Sequence, residues 1–216
     1  MRAAPRAFGV LWVVIATTAH AVEAEGRGNL DLADSKPVWD LAVTAYPTMV
    51  RGGENYTSAV VTANRGPLHL EGRVNYESIG ARSAFVGWTF SGADEISWEI
   101  TPMAGGAWGT TKAFVPGLVA TLAWRRFDFY TEIEYVHDRN DRSSSYIYSW
   151  NEFGFRPVEW FRLGLVAQRT RVYGGDRDVH PGPFAQVTWR HVTIGGYWFN
   201  PGSADQVTVV SIGAAF

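Results

Sequence analysis

Residues 127–136 sort by parity: Phe127, Phe129, Thr131, Ile133 and Tyr135 fall on one side of an extended chain, and Asp128, Tyr130, Glu132 and Glu134 on the other. Successive side chains of a strand point to opposite faces, so this segment builds a sheet with one apolar and one charged face rather than a helix with an apolar stripe. Residues 68–77 repeat the pattern, with Leu68, Leu70, Gly72, Val74 and Tyr76 opposite His69, Glu71, Arg73, Asn75 and Glu77. Helical periodicity is nowhere sustained, and no stretch of the mature chain is apolar for the roughly 20 residues a spanning helix needs.

Twelve such segments are predicted, at 38–47, 57–65, 68–77, 82–91, 95–106, 113–124, 127–138, 144–156, 160–172, 181–190, 192–200 and 206–216, with ten as the alternative count. Tight turns at 64–67, 92–94, 125–126, 157–158 and 190–191 alternate with longer polar connections at 51–55, 137–144, 173–181 and 200–206. Short turns at one end and longer loops at the other are the asymmetry of an outer-membrane barrel, and an even strand number returns both termini to one side, the periplasm. The predicted fold is all-β, a closed antiparallel up-and-down transmembrane barrel over 38–216. One segment fits poorly: at 144–156, polar Ser149 and Asn151 share a face with Ile147 and Phe153, which predicts a bulge or a shifted register there.

Ahead of the barrel, Arg2 and Arg6 precede an apolar run from Phe8 to Ala16 and the small residues of Ala19-His20-Ala21. That is the layout of an export signal, cleaved after Ala21 or, as second choice, after Ala24. Residues 1–21 are then a signal peptide and 22–37 a short periplasmic segment. The sequence has no Cys, which excludes disulfides and thiolate chemistry, and a formal net charge of -2, which gives no field for nucleic acid. Of the 10 Trp, Trp39, Trp88, Trp98, Trp124, Trp160 and Trp189 lie beside the tight turns or the first strand's start and form a predicted interfacial girdle, with Trp108 and Trp198 at the opposite ends.

The last segment, residues 206–216, places Thr208, Val210, Ile212, Ala214 and Phe216 on one face and ends the sequence on an aromatic residue. It resembles the C-terminal targeting signal of bacterial outer-membrane proteins, and the general pattern is that of small bacterial outer-membrane β-barrel proteins. The resemblance implies the outer membrane of a Gram-negative bacterium. It also implies, as partners, the export and barrel-assembly machinery, outer-membrane lipids and lipopolysaccharide.

With the apolar faces against lipid, the charged residues predicted to line the lumen are Asp40, Glu71, Arg73, Glu77, Glu99, Asp128, Glu132, Glu134, Arg162 and Arg190. Acids outnumber bases, which leans a narrow passage for small solutes towards cations. Twelve strands enclose more room than the eight whose side chains fill the bore, and much less than a porin of sixteen. The leading expectation is a porin-like, non-enzymatic barrel without cofactor or metal. The alternative is a structural or loop-displaying barrel whose charges pair and plug the lumen. A membrane lipid hydrolase, using His137 or His180 with Ser143, Ser144 or Ser145, and a soluble barrel with apolar faces inward are less favoured, because no motif ties the former's residues together. Asp176 and Asp178 beside His180 read as turn residues rather than metal ligands, and Asn55-Tyr56-Thr57 as a chance match to a glycosylation acceptor.

Overall fold

A computed structural model describes residues 38–172, 175 and 177–216; the expected signal peptide at 1–21 and the segment at 22–37 lie outside the described residues. Strands run β1 Asp40–Val50, β2 Tyr56–Arg65, β3 Leu68–Val74, β4 in two segments (Arg82–Trp88 and Phe90–Ala93), β5 Ser97–Trp108 and β6 Ala113–Trp124. The second half comprises β7 Phe127–Asp138, β8 Tyr146–Val158, β9 Phe161–Val172, β10 Arg177–Trp189, β11 Val192–Phe199 and β12 Val207–Ala215. Each strand pairs antiparallel with its neighbours in sequence, and β1 pairs with β12 from Ala42 opposite Ala215 to Val50 opposite Val207. The first segment of β4 bonds both β3 and β5, which closes the ring of twelve strands, while the second pairs with β5.

The barrel is inverted relative to a soluble protein. Outward positions carry Val43, Val61, Val86, Ile133, Phe153, Leu165, Ile194 and Ile212, all exposed, while Glu132, Glu134, Glu152, Arg73 and Arg162 are buried inside. The tight turns need backbone that few residues adopt: Gly66, Arg125 and Arg190 all have φ near +55° there. β4 is interrupted at Thr89, whose N–H donates to the Pro67 carbonyl at 2.7 Å and whose hydroxyl meets that of Thr101 at 2.9 Å.

Four local expectations are corrected. The first segment slides from 38–47 to 40–50, because its ladder to β12 continues as far as Val50. β3 stops at Val74, since Asn75 takes φ 54° and turns the chain inward; Tyr76, expected on the outer face, is buried inside beside Glu77. β8 has neither slip nor bulge over the doubtful stretch, pairing regularly from Tyr146 to Phe155 with β7, so Ser149 and Asn151 do face outward. The connection expected at 173–181 shrinks to 173–176, because the β9–β10 ladder runs on to Arg171 opposite Arg177.

Candidate functional site: the charged lumen

Two arginines organise the interior. Arg73 on β3 lies between the rings of Tyr76 and Phe85, its guanidinium carbon 4.1 and 4.2 Å from their centres. Four carboxylates surround it: Glu71 in direct contact, Glu134 at 2.7 Å, Glu132 at 3.5 Å and Glu77 at 3.9 Å. These are mostly contacts of charge; among the described residues the two Arg73 Nη atoms and both Glu77 oxygens have no aligned hydrogen-bond partner. Glu132 is held further by the hydroxyls of Tyr76 at 2.9 Å and Tyr130 at 3.2 Å, and Glu71 meets His69 Nε2 at 3.3 Å. Period-2 alternation on β3 and β7 brings these groups together, since Glu71 and Arg73, and Glu132 and Glu134, are i, i+2 neighbours on inward faces.

The second centre is tighter. Arg162 on β9 donates through Nε to Asp128 Oδ1 at 2.8 Å, and through Nη1 to Glu152 Oε2 at 2.5 Å and Gln186 Oε1 at 2.9 Å. Trp150 Nε1 donates to the other Glu152 oxygen at 2.9 Å, Gln186 donates to the Tyr197 hydroxyl at 2.7 Å, and Arg156 approaches Asp128 at 3.4 Å. Room for the guanidinium exists because residue 154 lacks a side chain: a Cβ there would stand 2.5 Å from Arg162 Nε and 2.7 Å from Asp128 Oδ1. Gly154→Val is therefore expected to cost about 1–3 kcal/mol of overpacking, read as a lower urea midpoint of the detergent-folded barrel.

Beside Arg162 the lumen is filled by rings. Trp150 meets Tyr197 and Phe199 edge-on at 5.3 and 5.2 Å between centres, and Phe184 stacks on Tyr197 at 5.5 Å. Trp150, Tyr46 and Phe199 are 0% exposed. On the β2–β7 side, a cavity of about 460 Å³ reaches from the turn end to Glu132. Asp40, Glu71, Glu99, Glu132, His69 and Tyr130 lie along it, and among the described residues no lysine or arginine lines it.

Of the residues predicted to line the lumen, the structure places Glu71, Arg73, Glu77, Asp128, Glu132, Glu134 and Arg162 in the interior, and Asp40 and Glu99 at the exposed mouth of the cavity. Arg190 is a correction. It occupies the β10–β11 turn in left-handed backbone, exposed, with its guanidinium 5.2 Å from the ring of Trp189. Glu152, Arg156 and Gln186 also face the interior without having been singled out from the sequence, as do the lumen-filling Trp150, Phe184 and Phe199. The signal was present on β8, where outward Phe153 puts Glu152 and Trp150 inside.

Outside, Trp39, Trp88, Trp98, Trp124, Trp160 and Trp189 are all exposed at the turn end, as are Trp108 and Trp198 towards the other. Arg65 covers Trp39 at 5.7 Å and Arg125 covers Trp124 at 4.8 Å, so these two turn-end rings carry cations on their faces. Thr208, Val210, Ile212 and Ala214 lie on the outer face of β12, and Phe216 exchanges backbone hydrogen bonds with Leu41 at 2.8 and 3.2 Å.

The serine run forms a single helical turn, Arg142–Ser144. Ser143 and Ser144 donate to the Asp141 carboxylate at 2.7 and 2.9 Å, which holds that carboxyl below the usual range, and the Ser145 hydroxyl accepts from the Asp138 N–H at 3.1 Å. His137 points to the outer face near Tyr135, with ring centres 6.0 Å apart. His180, buried at the loop end, meets Asp178 at 2.8 Å and Asn200 at 2.5 Å; Asp176 lies outside the described residues. No group of three or more His, Asp or Glu able to hold a metal occurs among the described residues.

A closed, twelve-stranded, antiparallel barrel with an apolar outer face and a charged interior is the fold of bacterial outer-membrane porins. Among solved structures, the KdgM porin in complex with disordered oligogalacturonate superposes with a TM-score of 0.61 at 8% identity, over 81% of this chain and 99% of that one. A second KdgM porin structure gives 0.56 at 10% identity, covering 81% and 98%, and the NanC porin gives 0.52 at 11%, covering 82% and 98%. At these identities the likeness is one of fold. No protein-family model matches the sequence, nor does any curated protein.

Proposed function

We propose that this chain is an integral protein of a Gram-negative outer membrane and forms a porin-like passage for small neutral or cationic solutes, with its turn end and both termini in the periplasm. Export by the signal peptide and insertion by the barrel-assembly machinery through the β12 signal belong to the same reading. The observation that carries it is the cavity at the turn end, with the carboxylates of Asp40, Glu71, Glu99 and Glu132 and, among the described residues, no basic side chain except His69. One of the porin structures of like fold holds oligogalacturonate, an acidic sugar chain. An acid-lined entrance of this kind repels such a solute and draws cations in.

Beyond the cavity the lumen narrows to the Arg73 centre, whose side chains are no more than 9% exposed, so the passage is a constriction rather than a wide pore. That packing favours a second reading, a plugged barrel that displays its loops. Planar-bilayer recording separates the two. Conductance steps from the purified, heat-modifiable barrel support the passage, and folded protein with no ion flux leaves the plugged barrel.

A further inference from the structure

The polar residues that interrupt the outer face of β8 are one end of a larger feature. Asn151 Oδ1 accepts from the Thr131 hydroxyl on β7 at 2.9 Å, and Ser149 lies opposite Arg169 on β9. Outward positions on β9 then read Leu165, Ala167, Arg169, Arg171, changing from apolar to basic towards the loop end. Among the described residues neither arginine has an acidic partner. Arg169 is eight residues beyond Phe161. At ~3.3 Å per residue and a tilt of about 40°, that raises it roughly 20 Å along an apolar belt about 25 Å tall, to the headgroup boundary. Directly below runs an outer-face groove of about 500 Å³, walled by Phe129, Phe153, Leu165, Ala167, Pro183 and Pro201.

An apolar groove capped by two arginines that have no acidic partner among the described residues, at headgroup depth, has the polarity of an anionic amphiphile. We infer that it binds the lipid A part of lipopolysaccharide, with phosphate on Arg169 and Arg171 and an acyl chain in the groove. Arginine suits phosphate through its fork of donors. The row of Thr131, Asn151 and Ser149 favours lipid A over a glycerophospholipid, because amide-linked, hydroxylated acyl chains offer N–H and O–H donors just below the headgroup, where a glycerophospholipid's ester carbonyls can only accept. The inference rests on the loop end facing the outer leaflet.

The test is native mass spectrometry of the full barrel in detergent, titrated with purified lipid A and, in parallel, phosphatidylglycerol. Wild type retains one lipid A per barrel. Arg169→Gln/Arg171→Gln weakens retention by roughly tenfold or more, the scale of losing charge-assisted phosphate contacts. Arg169→Lys/Arg171→Lys keeps most of it, and Ala167→Trp, which fills the groove with both arginines intact, also weakens it. Heat-modifiable mobility shows that each variant is folded. Undiminished binding by the glutamine variant, equal retention of phosphatidylglycerol, no lipid A on wild type, or a second copy of the barrel held at this face in its place would each overturn the assignment. Because the readout is bound lipid, its failure is distinct from that of the passage reading, which conductance judges.

Discussion

Arg73→Met is expected to give the largest loss of stability of any single substitution in the barrel. Among the described residues the guanidinium is the one arginine or lysine group in contact with Glu71, Glu77, Glu132 and Glu134, and all of these side chains are buried or nearly so. Breaking a buried ion pair by removing one partner costs about 3–5 kcal/mol, because the remaining charge is left without compensation. Here several carboxylates lose their counter-ion together, so the upper part of that range is the expectation. The cause is distinguishable from a simple packing loss. Arg73→Met combined with Glu132→Gln and Glu134→Gln removes most of the stranded charge and should recover much of the stability, whereas a packing defect would persist. Urea unfolding of the detergent-folded barrel, followed by its heat-modifiable mobility, reads both variants. Full stability of Arg73→Met alone would mean that the cluster is far better hydrated than its burial indicates.

The second large effect is on selectivity. Asp40 and Glu99 stand at the exposed mouth of the cavity, away from both arginine centres, so they can be changed without disturbing the packed lumen. Asp40→Lys/Glu99→Lys turns a mouth of two acids into one of two bases. In a wet vestibule each unit of charge changes the energy of a passing ion by about 0.5–1 kcal/mol, roughly two- to fivefold in its local concentration. Four units of change should therefore reverse the preference between potassium and chloride while leaving the urea midpoint nearly unchanged. An unaltered reversal potential in this variant would place selectivity deeper, at the Arg73 centre.

Most of the architecture was legible because a half-lipid, half-lumen strand has a side-chain period of two, and residues 127–135 display it plainly. Where the expectation failed, a local backbone choice overrode parity. Asn75 leaves β3 in left-handed backbone, so Tyr76 turns in against Glu132 instead of out towards lipid. Arg190 has inward parity on β10 but already belongs to the turn, where its partner is Trp189. The β8 segment failed for a different reason. Its outward polar residues made the correct register look wrong, which concealed Glu152 and Trp150 as inward residues and with them half of the Arg162 centre. The way the lumen is filled, with open acid on one side and stacked rings on the other, depends on which strands lie opposite each other across the bore. No segment read alone contains that information.

The central claim, a narrow passage selective through its acids, is tested most directly by the sign of the reversal potential of the wild-type barrel in a planar bilayer under a potassium chloride gradient. Discrete conductance is expected, with a reversal potential displaced towards the potassium equilibrium value. A potential displaced towards that of chloride, or the absence of conductance from folded protein, would contradict it.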